Sequence, residues 1–193
     1  MKRRYFLLVL ILIVSGCISG PIRPVLEYSL GSLSLGKNNI VIKVDKITDE
    51  RTWSKERIGE VNNIYGMTLT DIIPQGSITD WVTDALKQEL INAGYTLSNE
   101  ASVVNVIGGS VLEVYTEARY NLGCIIRLDI LLKKDGKDVF RKEYTAKIKR
   151  DPSWAAKPGS FNKILEITLQ EVMKQAIPDI NKILLDSKDT VKK

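Results

Sequence analysis

The sequence predicts an α+β fold: a single domain in which a mixed or mostly antiparallel sheet packs two helices on one face. Two amphipathic helical patterns occupy residues 77–93 and 160–185, and β-branched stretches lie before and between them. Asp135-Gly136, between two alternating stretches, is typical of a hairpin turn. Separated helices and runs of strands favour one sheet with the helices on one side. The predicted order is β-α-β-β-β-β-α.

The first helix has the clearest signal in the chain. Ser77 and Asp80 have the S-x-x-D spacing of a helix start, and Gly94 is placed for the C-terminal cap. Apolar residues recur between them at three- and four-residue steps, which predicts one buried helix face. These residues are Ile78, Trp81, Val82, Ala85, Leu86, Leu90 and Ala93.

The strands are predicted from their β-branched residues. Residues 39–47 form the first strand, residues 95–98 a short second one and residues 101–117 a long third one. The third strand is interrupted by Gly108-Gly109, which predicts a bulge or bend at the pair.

The last two strands form a hairpin around Asp135-Gly136. A two-residue loop would set Ile130 opposite Arg141 and so mix the core with charge. A three-residue loop over residues 134–136 sets Ile130 opposite Phe140 and Arg141 opposite Asp129, and opposite charges across strands are favourable. The three-residue loop is therefore predicted.

The second helix begins at Ser160, and its apolar residues recur at helical steps as far as Ala176. Pro178 follows inside the same pattern. Because proline lacks a backbone N–H and clashes with the preceding turn, the helix is predicted to kink or restart there.

The amino-terminal segment has the pattern of an export signal. A basic head, Lys2-Arg3-Arg4, precedes ten mostly aliphatic residues, 5–14. As a helix, this run covers about 15 Å of a hydrocarbon core that is about 30 Å thick, so it is too short to span a membrane. A basic start, a short apolar run and small residues at its end indicate a secretory signal peptide.

The end of this segment, Val14-Ser15-Gly16-Cys17, resembles the lipobox of bacterial lipoproteins. The resemblance implies cleavage after Gly16, a diacylglycerol thioether on Cys17 and an acyl chain such as palmitate on the new amino terminus. Several acyl chains hold a protein firmly because each buried CH₂ contributes about 0.8 kcal/mol. Ile18, and not an aspartate, follows Cys17, which in such lipoproteins favours the outer membrane, facing the periplasm. The alternative is a plain secretory signal in which Cys17 is incidental.

The predicted domain organisation follows from this signal. Residues 1–16 are a cleaved signal peptide, and residues 17–37, rich in Pro and Gly, are the lipid anchor and a tether. Residues 38–187 are the α+β domain, and residues 188–193 are a charged tail.

Composition argues against several function classes. Loss of the basic head lowers the formal net charge from +5 to +2, so no nucleic-acid surface is expected. The chain has no histidine, which removes the commonest general base and metal ligand. Cys124 lies in an apolar strand and is predicted to be a buried thiol, with an intermolecular disulfide as the alternative. The chain is therefore predicted not to be an enzyme, and no cofactor or metal is expected.

Two carboxylates, Asp45 and Asp49, stand at the end of the first strand. They could form a paired-carboxylate site, but no base, metal partner or phosphate-binding loop accompanies them. A solvated strand end, with Asp–Arg pairing that involves Arg51, is the favoured interpretation.

Three aromatic residues are the candidate partner contacts: Trp53, Tyr65 and Trp154. The first two lie in residues 52–76, which have no clear period and are predicted as a long loop with at most a short strand. Aromatic residues dominate the energetics of protein interfaces. The alternative is that all three cover the edge of the core.

Several of these features together resemble the YajG-like family of uncharacterised bacterial lipoproteins. They are the lipobox at Cys17, a first strand that leads into Asp49-Glu50-Arg51, Ile58-Gly59 in the next loop, and a helix that ends at Ala93-Gly94-Tyr95. The resemblance implies a lipoprotein but no established activity and no catalytic residues. Auxiliary lipoproteins of envelope lipid transporters and small assembly lipoproteins share the same outline.

The expected function is therefore that of a membrane-anchored, periplasm-facing lipoprotein. It would act as a non-enzymatic binding or assembly module of the cell envelope, held to the membrane through Cys17 and bound to an envelope protein. The alternative is an accessory lipoprotein of an envelope lipid or lipopolysaccharide transport system.

Overall fold

The computed structural model describes residues 20–31, 40–151 and 159–189, with side chains described as far as Leu185. Within these residues the chain forms an eight-stranded mixed sheet and two helices, so the predicted α+β class is confirmed. The strands are β1 (Val41–Val44), β2 (Thr48–Asp49), β3 (Gly59–Asn62), β4 (Thr68–Ile72), β5 (Thr96–Leu97), β6 (Asn105–Ala118), β7 (Leu122–Lys134) and β8 (Lys137–Arg150). The helices are α1 (Ile78–Asn92) and α2 (Ser160–Asp189).

The sheet is arranged around the long strand β6. On one edge, β7 pairs antiparallel with it along its whole length. On the other edge, β1, β2 and β3 each pair in parallel with a different stretch of β6. β5 then adds to β1, β4 to β3 and β8 to β7. One strand thus connects every part of the sheet.

The core lies between one face of this sheet and the two helices. Alternate residues of β7 point into it, and helix α2 packs over β7 and β8. Each fully buried Leu or Ile side chain contributes about 1.5–3 kcal/mol, so this face is a main source of stability. The buried β7 residues are Leu122, Cys124, Ile126, Leu128, Ile130 and Leu132.

Cys124 is a free, buried thiol, as predicted. Burial raises its pKa to about 12, although a hydrogen bond with Thr168 acts in the opposite direction. The thiolate is the reactive form of cysteine, so this side chain is a core residue at neutral pH.

Helix α1 begins and ends as predicted. Ser77 Oγ accepts a hydrogen bond of 3.2 Å from the Asp80 backbone N–H. At the other end Gly94 has a φ of 88°, and the Tyr95 N–H donates to the Leu90 carbonyl over 3.0 Å. A left-handed glycine with this backbone bond satisfies the last carbonyls of the helix.

The predicted order has too few strands. The stretch predicted as a long loop contains the β3–β4 hairpin, and β2 follows β1 closely. These strands are short and partly polar. The positions of β2 and β3 are set by pairing with β6, which is more than 50 residues away in sequence. Tertiary pairing decides such strands more than local propensity does.

The predicted three-residue loop of the β7–β8 hairpin is wrong. Lys134 pairs with Lys137, and the loop is Asp135-Gly136, both with positive φ as in a type I′ turn. A register shift beyond Leu132 then sets Ile130 opposite Lys142. Burial of one face of the sheet constrains register strongly, and a bulge is the local adjustment that satisfies it.

Two further backbone predictions also need correction. The irregularity in β6 lies between Val111 and Glu113 and not at the glycine pair. Gly109 instead allows a close approach, because a Cβ atom there would lie 2.0 Å from the carbonyl oxygen of Asp129. Helix α2 does not restart at Pro178, which lies inside one continuous helix.

Part of the predicted tether is joined to the sheet. Ile22 and Val25 form parallel bridges with Ile72 and Gln75, along the outer edge of β4. The Ile22 N–H donates to the Asp71 carbonyl over 2.9 Å. The chain therefore enters the described domain alongside β4.

Candidate functional site

The face of the sheet opposite the helices carries the candidate site. Because side chains alternate along a strand, residues flanking the buried positions of β6, β7 and β8 share this second face. Strand register places them side by side, Glu113 with Arg127 and Tyr115 with Ile125. We call this surface the open sheet face. Its residues are Glu113, Tyr115, Glu117, Ile125, Arg127, Lys147 and Lys149.

A groove with a volume of about 360 Å³ lies on the open sheet face. Its floor comes from β6 and β7, and its wall is the loop that follows β2. We call it the Trp53 groove. Its lining residues are Arg51, Thr52, Trp53, Ser54, Leu112, Glu113, Val114, Tyr115 and Arg127.

Trp53 and Tyr115 form the aromatic centre of this groove. Their ring centroids are 5.0 Å apart with the rings at 90°, an edge-to-face arrangement. The Arg57 guanidinium lies 5.1 Å from the centre of the Trp53 ring, within cation–π distance. Trp53 nevertheless remains 48% exposed. The groove thus presents a fixed aromatic surface to solvent.

A buried arginine holds the loop that carries Trp53. Arg51 donates to the Lys55 carbonyl over 2.8 Å and to the Arg57 carbonyl over 3.2 Å. It also forms a two-point ion pair with Asp49, with distances of 3.0 and 2.9 Å. The position of Trp53 therefore follows from a polar network.

The electrostatics of that network keep Asp49 ionised. Burial acts to raise the pKa of the carboxyl, but hydrogen bonds from Arg51 and Lys55 outweigh it and lower the pKa to about 2. Asp45 pairs separately with Lys43 over 3.1 Å. The predicted Asp–Arg pairing is therefore confirmed for Asp49, whereas Asp45 pairs with a lysine.

Polar groups flank the aromatic centre on both sides. Arg127 Nη2 lies 3.7 Å from Glu113 Oε2, and its Nε is buried without a hydrogen-bond partner among the described residues. On the other side, a groove of about 170 Å³ joins Tyr115 to Glu117, Lys147 and other residues. Burial, with nearby Glu60 and Glu117, raises the pKa of Tyr115 to about 12, so its phenol is a neutral donor.

A second exposed surface lies at the turn between β3 and β4. Five large side chains at this turn and at the adjacent β6–β7 turn are each at least 60% exposed. We call this surface the apolar tip. Its residues are Ile64, Tyr65, Met67, Leu69 and Tyr120.

The predicted contact residues therefore fall in different places. Trp53 lines the groove and Tyr65 belongs to the apolar tip, while Trp154 and Cys17, the predicted lipidation site, lie outside the described residues. Reasoning from the sequence missed Tyr115. The alternation of β6, with Val114 buried, would have placed it on the face opposite the core.

Among the residues with described positions, no group of three or more His, Cys, Asp or Glu side chains is placed to hold a metal ion. Neither helix, over its described residues, combines the length and the apolar content of a membrane span.

Comparison with known proteins gives a similarity of fold alone. No protein-family model matches the chain, and no curated protein matches it. Among solved structures, protein XCC0632 from Xanthomonas campestris, of the family DUF330, has 12% identity and a TM-score of 0.58, and the match covers 89% of this chain and 96% of that one. An uncharacterised protein has 11% identity and a TM-score of 0.53, with 84% and 99% covered. The chain shares its fold with these uncharacterised proteins.

Proposed function

We propose that this chain is a lipoprotein of the bacterial envelope, similar to the YajG-like family, that binds another envelope protein without catalysing a reaction. It would be anchored through Cys17 in the outer membrane and face the periplasm. The observation that carries the proposal is the Trp53–Tyr115 pair, which is held in an open groove by buried Arg51. Rigid aromatic side chains beside arginine are the residues that contribute most to protein interfaces.

The charges of the open sheet face favour a protein as the partner. Arg127 and Lys147 lie beside Glu113 and Glu117, so both signs occur within one surface. A nucleic-acid surface would instead be strongly basic. A surface of mixed sign around an aromatic centre resembles the core and rim of a protein interface.

The side chains available for chemistry support a binding role. The sequence has no histidine, and the Cys124 thiol is buried with its pKa raised to about 12. Asp49 is committed to its ion pair with Arg51. Cys124 and Asp49 therefore have structural roles, in the core and in the loop that carries Trp53. These structural roles do not account for the exposed aromatic groove, so we assign the binding function to it.

Site-specific crosslinking in living cells tests the proposal. A photo-crosslinking amino acid replaces Lys147, which is exposed and lines the second groove of the open sheet face. The matched control replaces Asp84, which is exposed on α1 on the helix side of the sheet. We expect one envelope protein in stoichiometric adducts from position 147 and none of it from position 84.

The same experiment in a Trp53→Ala background measures the role of the groove. The adduct from position 147 should fall sharply while the amount of folded protein stays constant. Equal adducts from positions 84 and 147, or an adduct that does not depend on Trp53, would contradict the binding function. Lipid retained by the purified protein, with no protein adduct, would favour the transport-accessory alternative.

A further inference from the structure

The apolar tip is unusual for a turn at the end of a hairpin. Turns normally carry polar residues, yet Ile64, Tyr65 and Met67 follow one another around this turn with only Gly66 between them. Leu69 extends the set along β4, and Tyr120 joins it from the neighbouring β6–β7 turn. Exposed apolar residues that cluster in this way mark a contact with a protein or a membrane.

The backbone of the turn is bonded internally. Asn63 Oδ1 accepts hydrogen bonds from the N–H groups of Tyr65 and Met67, at 2.9 and 3.0 Å. The Asn63 carbonyl accepts from the Gly66 N–H at 3.0 Å. Moving an unpaired backbone group from water into an apolar environment costs free energy. Because these groups of the turn are paired, the free-energy cost of transferring the turn out of water is reduced.

Side chains of the neighbouring β6–β7 turn bind a carbonyl at the apex. The carbonyl of Ile64 accepts from Tyr120 Oη at 2.9 Å and from Arg119 Nη2 at 3.0 Å. Arg119 also lies over the Tyr120 ring, 4.9 Å from its centre. The two turns are thus joined into one tip, with the Arg119 guanidinium beside its apex as a cation for lipid phosphates.

The register of the amino-terminal segment relates this tip to the proposed anchor. Ile22 is bridged in parallel to Ile72, and Thr70 Oγ1 donates to the Gly20 carbonyl over 3.2 Å. Followed towards the amino terminus, the segment therefore runs along β4 towards the turn. Cys17 is only three residues before Gly20, so its Cα lies within about 11 Å of the Gly20 Cα.

We propose that the apolar tip inserts into the interfacial layer of the lipid bilayer, as a second membrane contact beside the acyl chains of Cys17. The inference rests on the proposed lipid anchor. A bilayer is the occupant that the geometry favours because a lipid on Cys17 cannot be far from the start of β4. Tyrosine and aliphatic side chains with a basic residue at their edge are typical of membrane-interface contacts.

This contact would also set the orientation of the domain. The tip lies at the Ala118–Leu122 end of the paired strands β6 and β7, and the β7–β8 turn lies at the other end. The 13 residues of β7 span about 40 Å, so the β7–β8 turn would point away from the bilayer. The open sheet face would then stand beside the membrane, accessible to a partner.

A depth measurement on the lipidated, full-length mature chain tests the inference. Tyr65→Cys is labelled with an environment-sensitive dye, and the protein is reconstituted into vesicles of phosphatidylethanolamine and phosphatidylglycerol. The matched control is Val139→Cys, which is 47% exposed near the β7–β8 turn. Labelling is selective because Cys124 is buried and the Cys17 thiol carries the lipid in this sample.

The inference predicts a blue-shifted emission at position 65 that nitroxide-bearing lipids quench about twofold or more, with neither effect at position 139. Water-like emission at position 65, in a chain whose acylation is verified by mass, would overturn the inference and leave the anchor standing. A blue shift that nitroxide lipids do not quench would overturn it in favour of a protein or a second copy. Absence of the acyl chains would overturn the anchor, and the inference with it.

Discussion

Tyr28 donates a hydrogen bond of 2.5 Å to Glu89 Oε1, and 61 positions separate the two residues in sequence. The Gly31 N–H donates to the same oxygen over 2.8 Å. Glu89 lies on α1 and is only 1% exposed. The two hydrogen bonds therefore hold the amino-terminal segment against a buried side chain of α1. The described segment that leads towards the proposed lipid anchor is therefore part of the folded domain.

Tyr28→Phe should destabilise the protein by about 1–3 kcal/mol, because a buried acceptor on Glu89 loses its phenol donor. Burial, and next the hydrogen bond to Glu89, raise the pKa of Tyr28 well above its usual value, so the phenol donates at all ordinary pH values. Urea unfolding measures the change. The control, Tyr120→Phe, removes an exposed hydrogen bond and should cost less than about 1 kcal/mol. Equal losses from the two variants would contradict the importance of the Glu89 contact.

Asp49→Asn should lower the free energy of unfolding at neutral pH, because it removes an ion pair that the wild-type protein loses in acid. The folded pKa of Asp49 is lowered from 3.8 to about 2, so its ion pair stabilises the fold above pH 4 and is lost as pH falls from about 4 to about 2. With allowance for solvent screening, the contribution is about 1–2 kcal/mol. Urea unfolding at pH 7 and pH 2.5 should show a large difference from wild type at the higher pH and a small one at the lower. A difference in unfolding free energy between variant and wild type that does not depend on pH would contradict this role of the ionised Asp49.

Gly109→Ala should destabilise the protein by about 3 kcal/mol or more, because the new methyl group would meet the Asp129 backbone oxygen at 2.0 Å. Gly20→Ala is the matched control, since a Cβ at that position has no atom within 4 Å. Thermal unfolding followed by circular dichroism compares the two. A Gly109→Ala protein as stable as the control would mean that β6 and β7 do not approach as closely as described.

Trp53→Ala should weaken partner binding by about 2 kcal/mol, which is about 30-fold in Kd. Folding stability should change by less, because the side chain is 48% exposed and covers little of the core. Titration against the crosslinked partner and urea unfolding measure the two effects. Val139→Ala, at an exposed site near the β7–β8 turn, should leave the Kd unchanged. A Trp53→Ala protein with wild-type affinity would remove the groove from the interface.

The sequence predicts those parts of the fold that local chemistry decides. The Ser77 cap and Gly94 fix the two ends of α1 through interactions with residues close by in sequence. Both have the predicted conformation. The strand β3 is different, because its partner Thr116–Ala118 lies far away in sequence and its own residues alternate weakly. The loop of the β7–β8 hairpin was predicted one residue too long, since a bulge beyond Leu132 sets its register.

The candidate site divides in the same way. Trp53 and Tyr65 are identifiable from the sequence because aromatic residues in an aperiodic stretch have no obvious core role. Tyr115 and Arg127 require the strand register, which only the paired strands β6 and β7 provide. The predicted Asp129–Arg141 ion pair does form, at 2.7 Å, although Glu143 and not Arg141 lies directly opposite Asp129.

The mass of the amino-terminal peptide, from protein isolated out of bacterial membranes, tests the central claim most directly. We expect a peptide that begins at Cys17 and carries a diacylglycerol thioether and an amino-terminal acyl chain. The Cys17→Ser variant should instead keep residues 1–16 and carry no lipid. A wild-type chain that retains residues 1–16, or that has a free thiol at Cys17, would contradict the assignment of this protein as a lipid-anchored module.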